Sequence, residues 1–225
     1  MTTNFPSSID NFTNPTSSST MASPSHSAQH ADVNDAVEAL QAQVGVDGSA
    51  VTSSLDYKVA NQGLTLVKTV SIGSGVTSVT VTDAFSATFE NYKVLTNIEN
   101  ASANNDVYFR LGGVSTNTYD RTRQLWFVAS TTPGYGAETA QTAGWWGVNR
   151  TGEGSDTVSE IFRPYIAKPT TVKSEAFYKD IAGQMQFRLH ASIQRGDLSH
   201  TSLTLLVSSG TMSNGTIRVY GYNNG

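Results

Sequence analysis

The chain has 225 residues, enough for one sizeable domain or two small ones. Its net charge of −4 argues against a nucleic-acid binder, which would show a basic face, and no run of about 18 apolar residues is present to span a membrane. The absence of Cys excludes disulfides and thiolate metal sites, and a charged fraction of only 14%, replaced by Thr, Gly, Ser and Val, reads as all-β.

Residues 1–57 differ in character from the rest. This arm has no Lys or Arg and carries Asp10, Asp32, Asp35, Glu38, Asp47 and Asp56. The start, Met1-Thr2-Thr3-Asn4-Phe5, lacks the basic residues and apolar core of a signal peptide. Pro6, Pro15 and Pro24 stand among Ser, Thr and Asn, a composition that buries too little apolar area to order itself. Phe5, Ile9 and Phe12 interrupt it as large apolar anchors. Two readings stay open: a disordered tail, or an extended peptide that orders on a partner with these anchors in pockets, kept extended by Pro6 and Pro15.

Residues 32–44 form the predicted helix. Asp32 suits the N-cap, Asp35 lies near the positive end of the dipole, and Gly45 suits the C-terminal stop. Val33, Val37, Leu40 and Val44 follow at spacings of four, three and four, one apolar stripe. A helix this short is marginal alone. The stripe therefore packs either on the chain's own β domain or on copies of itself about an axis, since alternating four and three is a heptad seam. Val46-Asp47-Gly48-Ser49 reads as a turn, and residues 50–63 as a linker or a first short strand.

From Leu64 the pattern is strand, turn, strand. Leu64–Ile72 stops at Gly73-Ser74-Gly75, and Val76–Thr82 follows. Tyr92–Ile98 places Tyr92, Val94 and Ile98 on one face; Val107–Leu111 places Val107, Phe109 and Leu111 inward. Leu125–Val128 and Gly144–Val148 are short and aromatic, and Pro164 demotes the end of Val158–Ile166 to an edge. Val172–Ala182 joins Met185–Ile193 through a short Gly183-Gln184 connection. In that second strand Met185, Phe187, Leu189, Ala191 and Ile193 alternate with Gln186, Arg188, His190 and Ser192, which puts His190 on a polar, solvent-facing or cross-strand side. Leu203–Val207 and Thr216–Tyr222 close the chain. Roughly nine to eleven strands without intervening helices predict an antiparallel β-sandwich over residues 58–225, jelly-roll-like.

Catalytic signatures are weak. His26 and His30 are spaced i, i+4, as a metal pair on a helix would be. Pro24 lies just upstream, however, and no third ligand is near, so His30 reads as a hydrogen-bonding residue at the helix entrance, and no metal or other cofactor is expected. Glu153, Asp156 and Glu160 cluster in a Gly- and Ser-rich loop that reads as wet, where a general acid needs an apolar pocket. The expectation is a non-enzymatic protein. Tyr119, Trp126, Tyr135, Trp145 and Trp146 fall in a stretch rich in Gly, Thr and Ser. Most of this set reads as core, with one of Trp145 and Trp146 turned in and the other out. Tyr119, Tyr135, Trp145 and Trp146 remain the candidate contacts for glycan or partner.

The segment Asn4-Phe5-Pro6-Ser7-Ser8-Ile9-Asp10-Asn11-Phe12-Thr13-Asn14-Pro15 resembles the N-terminal part of bacteriophage tail-fibre and appendage proteins. So does Ser25-His26-Ser27-Ala28-Gln29-His30 leading into Ala36-Val37-Glu38-Ala39-Leu40-Gln41-Ala42-Gln43-Val44-Gly45. The likeness covers about residues 4–58. The ending Gly215-Thr216-Ile217-Arg218-Val219-Tyr220-Gly221-Tyr222 also looks like the last strand of phage appendage sandwiches. The resemblance implies a homotrimer in a virion, assembled in the host cytoplasm. It implies that residues 1–45 dock on tail, neck or capsid proteins through Phe5, Pro6, Ile9, Phe12 and Pro15, and that Val33, Val37, Leu40 and Val44 become a three-fold seam. The outward sandwich would then meet host cell-surface glycan. The chain lacks a long fibrous shaft, so a capsid-attached head fibre, a cement or decoration protein, or a neck adaptor without receptor binding is the alternative.

Overall fold

The computed structural model describes residues 16–22, 25–127, 133–180 and 182–223, with the backbone alone for Phe127. The chain divides into two compact units, residues 1–62 and residues 63–224.

In the first unit, helix α1 spans His26–Val44 and helix α2 spans Leu55–Ala60. Helix α1 begins six residues before the expected start, and its N-cap is Ser25, not Asp32. His26-Ser27-Ala28-Gln29-His30-Ala31 contains neither Gly nor Pro, so once Ser25 caps the chain nothing delays the helix. Gly45 ends it at φ 86°, with its N–H donating to the Gln41 carbonyl. Residues 50–63 hold a helical turn where a linker or strand was expected. Ser54 caps α2 by accepting from the Tyr57 N–H at 3.3 Å and donating to the Val51 carbonyl at 2.8 Å. The Asp56 carboxylate accepts from the Ser49 N–H at 2.9 Å, which closes the turn between the helices.

The second unit is an antiparallel β-sandwich. Its strands are β1 Leu64–Ser71, β2 Ser78–Val81, β3 Asn91–Ala101, β4 Asn105–Leu111, β5 Tyr119–Phe127, β6 Gly134–Gln141, β7 Gly144–Asn149, β8 Ser155–Phe162, β9 Thr170–Lys179, β10 Met185–Gln194, β11 Leu203–Val207 and β12 Met212–Tyr222. One sheet has the order β1-β12-β3-β8-β9-β10-β5-β6 and the other β2-β11-β4-β7. The pairs β1·β12, β2·β11, β3·β8 and β4·β7 are those of a ribbon folded back on itself and rolled, which is the jelly roll. Two additional strand pairs, β5–β6 and β9–β10, join the free edge of β8 and widen the first sheet.

The core lies between the sheets. Val107, Phe109 and Leu111 point inward from β4, and Tyr92, Val94 and Ile98 from β3, as their alternation predicts. Leu203, Leu205, Ile217 and Val219 complete it. Each fully buried side chain of this size contributes roughly 1.5–3 kcal/mol. Strand β8 stops at Phe162; Arg163 takes φ 55° and turns the chain just before Pro164.

The departure from expectation is in β10. Its polar residues Gln186, Arg188, His190, Ser192 and Gln194 are buried, while Met185, Phe187, Leu189, Ala191 and Ile193 face out. The reversal has a local cause. The inner face of β5 supplies Arg121 and Arg123, β4 supplies Asp106, and β7 supplies Trp145; together they form a polar interior that accepts the polar side of β10.

Candidate functional site

Beneath the widened part of the first sheet, guanidinium groups replace apolar packing. Arg123 and Arg188 both donate to Asp106, at 3.2 and 3.0 Å, and Arg188 Nε donates to the Tyr178 hydroxyl at 2.9 Å. Arg121 donates to the Glu138 carboxylate and, at 3.1 Å, to the Ala143 carbonyl. Its guanidinium lies 4.7 Å from the Tyr108 ring centre and 4.6 Å from that of Trp145, and Arg123 stacks on Trp145 at 4.6 Å. Planar, weakly hydrated guanidinium groups tolerate such burial because they stack and pair at once. His190 lies within this group, 1% exposed, its ring centre 6.1 Å from that of Trp145 and neither nitrogen hydrogen-bonded. Burial, with Arg188, Arg123 and Arg121 nearby, pulls its pKa down to about 3, so it is neutral.

This inward polar layer leaves an apolar layer outward. Register pairs Trp126 with Phe187 and Phe187 with Phe177 across β5, β10 and β9, and successive ring centres are 5.0 Å apart. One row along the same face Leu189 pairs with Gln124, and a row beyond it Ala191 pairs with Thr122, two small residues that make the sheet surface low. An open trough of about 400 Å³ runs between Thr122, Gln124, Tyr135, Ala137, Leu189 and Ala191. A second of about 330 Å³ shares Thr122 and Ala191 and is edged by Asp120, Phe162, Lys173 and Ile193. Tyr135 stands 73% exposed at the rim, its hydroxyl accepting from Gln124 at 3.4 Å. The exposed Tyr135 ring with the Gln124 amide beside the first trough suits a ligand with apolar C–H faces and hydroxyl edges.

Of the four aromatic contacts expected from sequence, Tyr135 alone is on the surface; Tyr119, Trp145 and Trp146 are buried. The one-in, one-out rule fails for the two Trp because the β4·β7 register slips between Val107 and Tyr108, leaving Trp146 the extra residue of a bulge. Trp146 turns into the core and donates to the Thr96 hydroxyl at 3.2 Å, while Trp145 is covered by the two guanidinium groups. Tyr119 is a core residue whose hydroxyl accepts from the Leu111 N–H at 3.0 Å; burial pushes its pKa up to about 12. Sequence reasoning passed over Phe177 and Phe187 and set Trp126 with the core. The available signal was that Phe177 and Phe187 lie at equal distances from the β9–β10 connection, which pairs them across the two strands.

The carboxylates do not converge. Glu153 and Asp156 edge an open trough of about 330 Å³ with Phe177 and Met185, and Asp156 accepts from Asn97 at 2.8 Å. Glu160 lies four residues along β8, about 13 Å away at strand rise, and accepts from the Tyr222 hydroxyl at 3.0 Å. The anchor residues Phe5, Pro6, Ile9, Phe12 and Pro15 lie outside the described residues. The seam residues Val33, Val37, Leu40 and Val44 are 51, 46, 50 and 44% exposed on α1.

No family model matches the chain, and no curated protein matches it. Among solved structures, scytalido-glutamic peptidase with a transition state analog inhibitor is similar at 13% identity and a TM-score of 0.29, over 64% of this chain and 77% of that one. The same peptidase with a peptide based transition state analog gives 11% identity and a TM-score of 0.27, over 64% and 74%. At such scores no residue role passes from that enzyme to this chain.

Proposed function

We propose that the chain is a non-enzymatic structural protein of a bacteriophage virion: a homotrimeric tail or appendage fibre, anchored by residues 1–45 and displaying its sandwich to host-surface glycan. The observation that carries this reading is the uncovered stripe on α1. Val33, Val37, Leu40 and Val44 are about half exposed, and an apolar heptad face of this kind is satisfied by copies of itself. The arm before it, with Phe5, Ile9 and Phe12 among prolines, fits an extended segment ordered by virion neighbours. The ladder Trp126–Phe187–Phe177 and, from the next row of the same face, the trough rimmed by Tyr135 support saccharide stacking on the outward face.

The full-length chain, tested by light scattering and on an array of bacterial surface glycans, checks both halves. The expected result is a mass three times the 24.0 kDa of one chain, with glycan binding lost in Phe187→Ala at unchanged mass. A trimer that binds no host-surface fraction favours the capsid-attached fibre, cement or neck-adaptor role. A chain that never associates removes the fibre reading.

A further inference from the structure

Because α1 begins at His26, both His26 and His30 lie inside it, one turn apart on one face. Their Nε2 atoms are 3.0 Å apart. Two imidazole nitrogens bound to one ion at about 2.1 Å and at right angles to each other are also about 3.0 Å apart. The rings thus already hold the spacing of a chelating pair. They also belong to the seam. His26, His30, Val33, Val37, Leu40 and Val44 succeed one another at four, three, four, three and four residues, so the histidines are the next two layers of the apolar heptad face.

We propose that His26 and His30 form the chain's contribution to a divalent transition-metal site at the N-terminal end of the seam, completed by the same pair from neighbouring copies. The inference rests on the trimer reading above. Imidazole suits Zn²⁺ and Ni²⁺, and three pairs about an axis offer up to six nitrogens, enough for octahedral Ni²⁺. In the present contact one Nε2–H donates to the other Nε2. On metal binding the donor ring carries its proton on Nδ1 instead, so both Nε2 lone pairs reach the ion and no proton is lost. The positive end of the helix dipole opposes a cation there, so one pair alone binds weakly and the other copies are needed. Two polar layers in an otherwise apolar seam also fix its register, a use to which polar seam residues are commonly put.

The test uses untagged full-length chain, dialysed against chelator and titrated with Ni²⁺ alone by calorimetry, with the mass followed by light scattering. Expected are one ion per three chains and a trimer that forms at tenfold or more lower protein concentration with Ni²⁺ than without. His30→Gln weakens binding at least tenfold while the metal-free trimer persists. Retained stoichiometric binding in His26→Gln with His30→Gln overturns the assignment, because His190 and His200 are buried. A trimer indifferent to Ni²⁺ sinks the metal site and leaves the trimer standing. A chain that stays monomeric with Ni²⁺ at every concentration sinks both.

Discussion

At the scale of single residues, the buried charges under the widened sheet decide stability. Asp106 is the shared acceptor of Arg123 and Arg188, and the Arg188 side chain is almost wholly buried. Removing a partner from a fully buried pair costs about 3–5 kcal/mol, and the partial exposure of Asp106 and Arg123 puts this site at the low end of that range. Asp106→Asn leaves two guanidinium groups facing a neutral amide. It is expected to lower the stability of the sandwich by about 3 kcal/mol, read as a shift of the urea midpoint at unchanged slope. An unchanged midpoint would mean that solvent already screens the pair. His190 sets the acid limit. Its folded pKa of about 3 lies below the 6.5 of the free side chain, so between these values the unfolded chain binds one more proton than the folded one. Its contribution to stability is complete above pH 6.5 and is lost as pH falls towards 3, by up to about 1.4 kcal/mol per pH unit. His200, whose pKa burial also lowers, adds in the same direction. In His190→Gln the unfolding free energy, measured from pH 6.5 down to pH 4, falls with a slope smaller by one proton. An identical slope would show that the imidazole is protonated in the folded state.

At the scale of elements, the junction of the two helices depends on one backbone conformation. Gly45 sits at φ 86°, ψ 164°, a region closed to residues with a side chain, and a Cβ there would lie 2.8 Å from Ser54 Oγ. Ser54 is fully buried and caps α2, so the clash removes that cap as well. Gly45→Ala is expected to cost at least about 1–3 kcal/mol locally, seen as lost ellipticity at 222 nm and faster proteolysis between the helices, with the sandwich unaffected. The stop at Gly45 was legible in the sequence; the start at Ser25 was not, because Asp32 offers equally good capping chemistry and only the fold chooses between them. The sandwich was legible through period-two patterns such as Val107, Phe109 and Leu111. The direction of β10 was not, since alternation fixes two faces without saying which is inside. That choice was made by residues distant in sequence, Asp106, Arg121, Arg123 and Trp145, and it moved the candidate binding face from the Trp145–Trp146 pair to the Trp126–Phe187–Phe177 ladder. Strand β5 was underestimated for the same reason: the sequence pattern began it at Leu125, because Arg121 and Arg123 lack the apolar alternation of a strand until their stacking on Trp145 is known.

At the scale of the whole molecule, the question is whether four half-exposed apolar residues per chain suffice to hold three copies together. Completing the burial of each Val or Leu contributes on the order of 1 kcal/mol, hence roughly 4 kcal/mol per chain. Association costs about 4–15 kcal/mol in lost translational and rotational freedom for each copy that joins. The seam is therefore near balance, and a trimer resting on it alone must dissociate on dilution. Light scattering of the full-length chain across about 1 µM to 1 mM should show the mass rising from 24.0 kDa towards three times that value. Val37→Asp with Leu40→Asp places two carboxylates in the seam, and their desolvation exceeds everything the stripe can contribute. The doubly substituted chain should remain a monomer at every concentration, with the thermal midpoint of the β-sandwich unchanged, because those residues belong to the first compact unit and the core of the second is built from its own strands. A doubly substituted chain that still forms trimers would place the self-association in the outward face of the eight-stranded sheet, and Phe187→Asp in that background would then be the substitution that abolishes it.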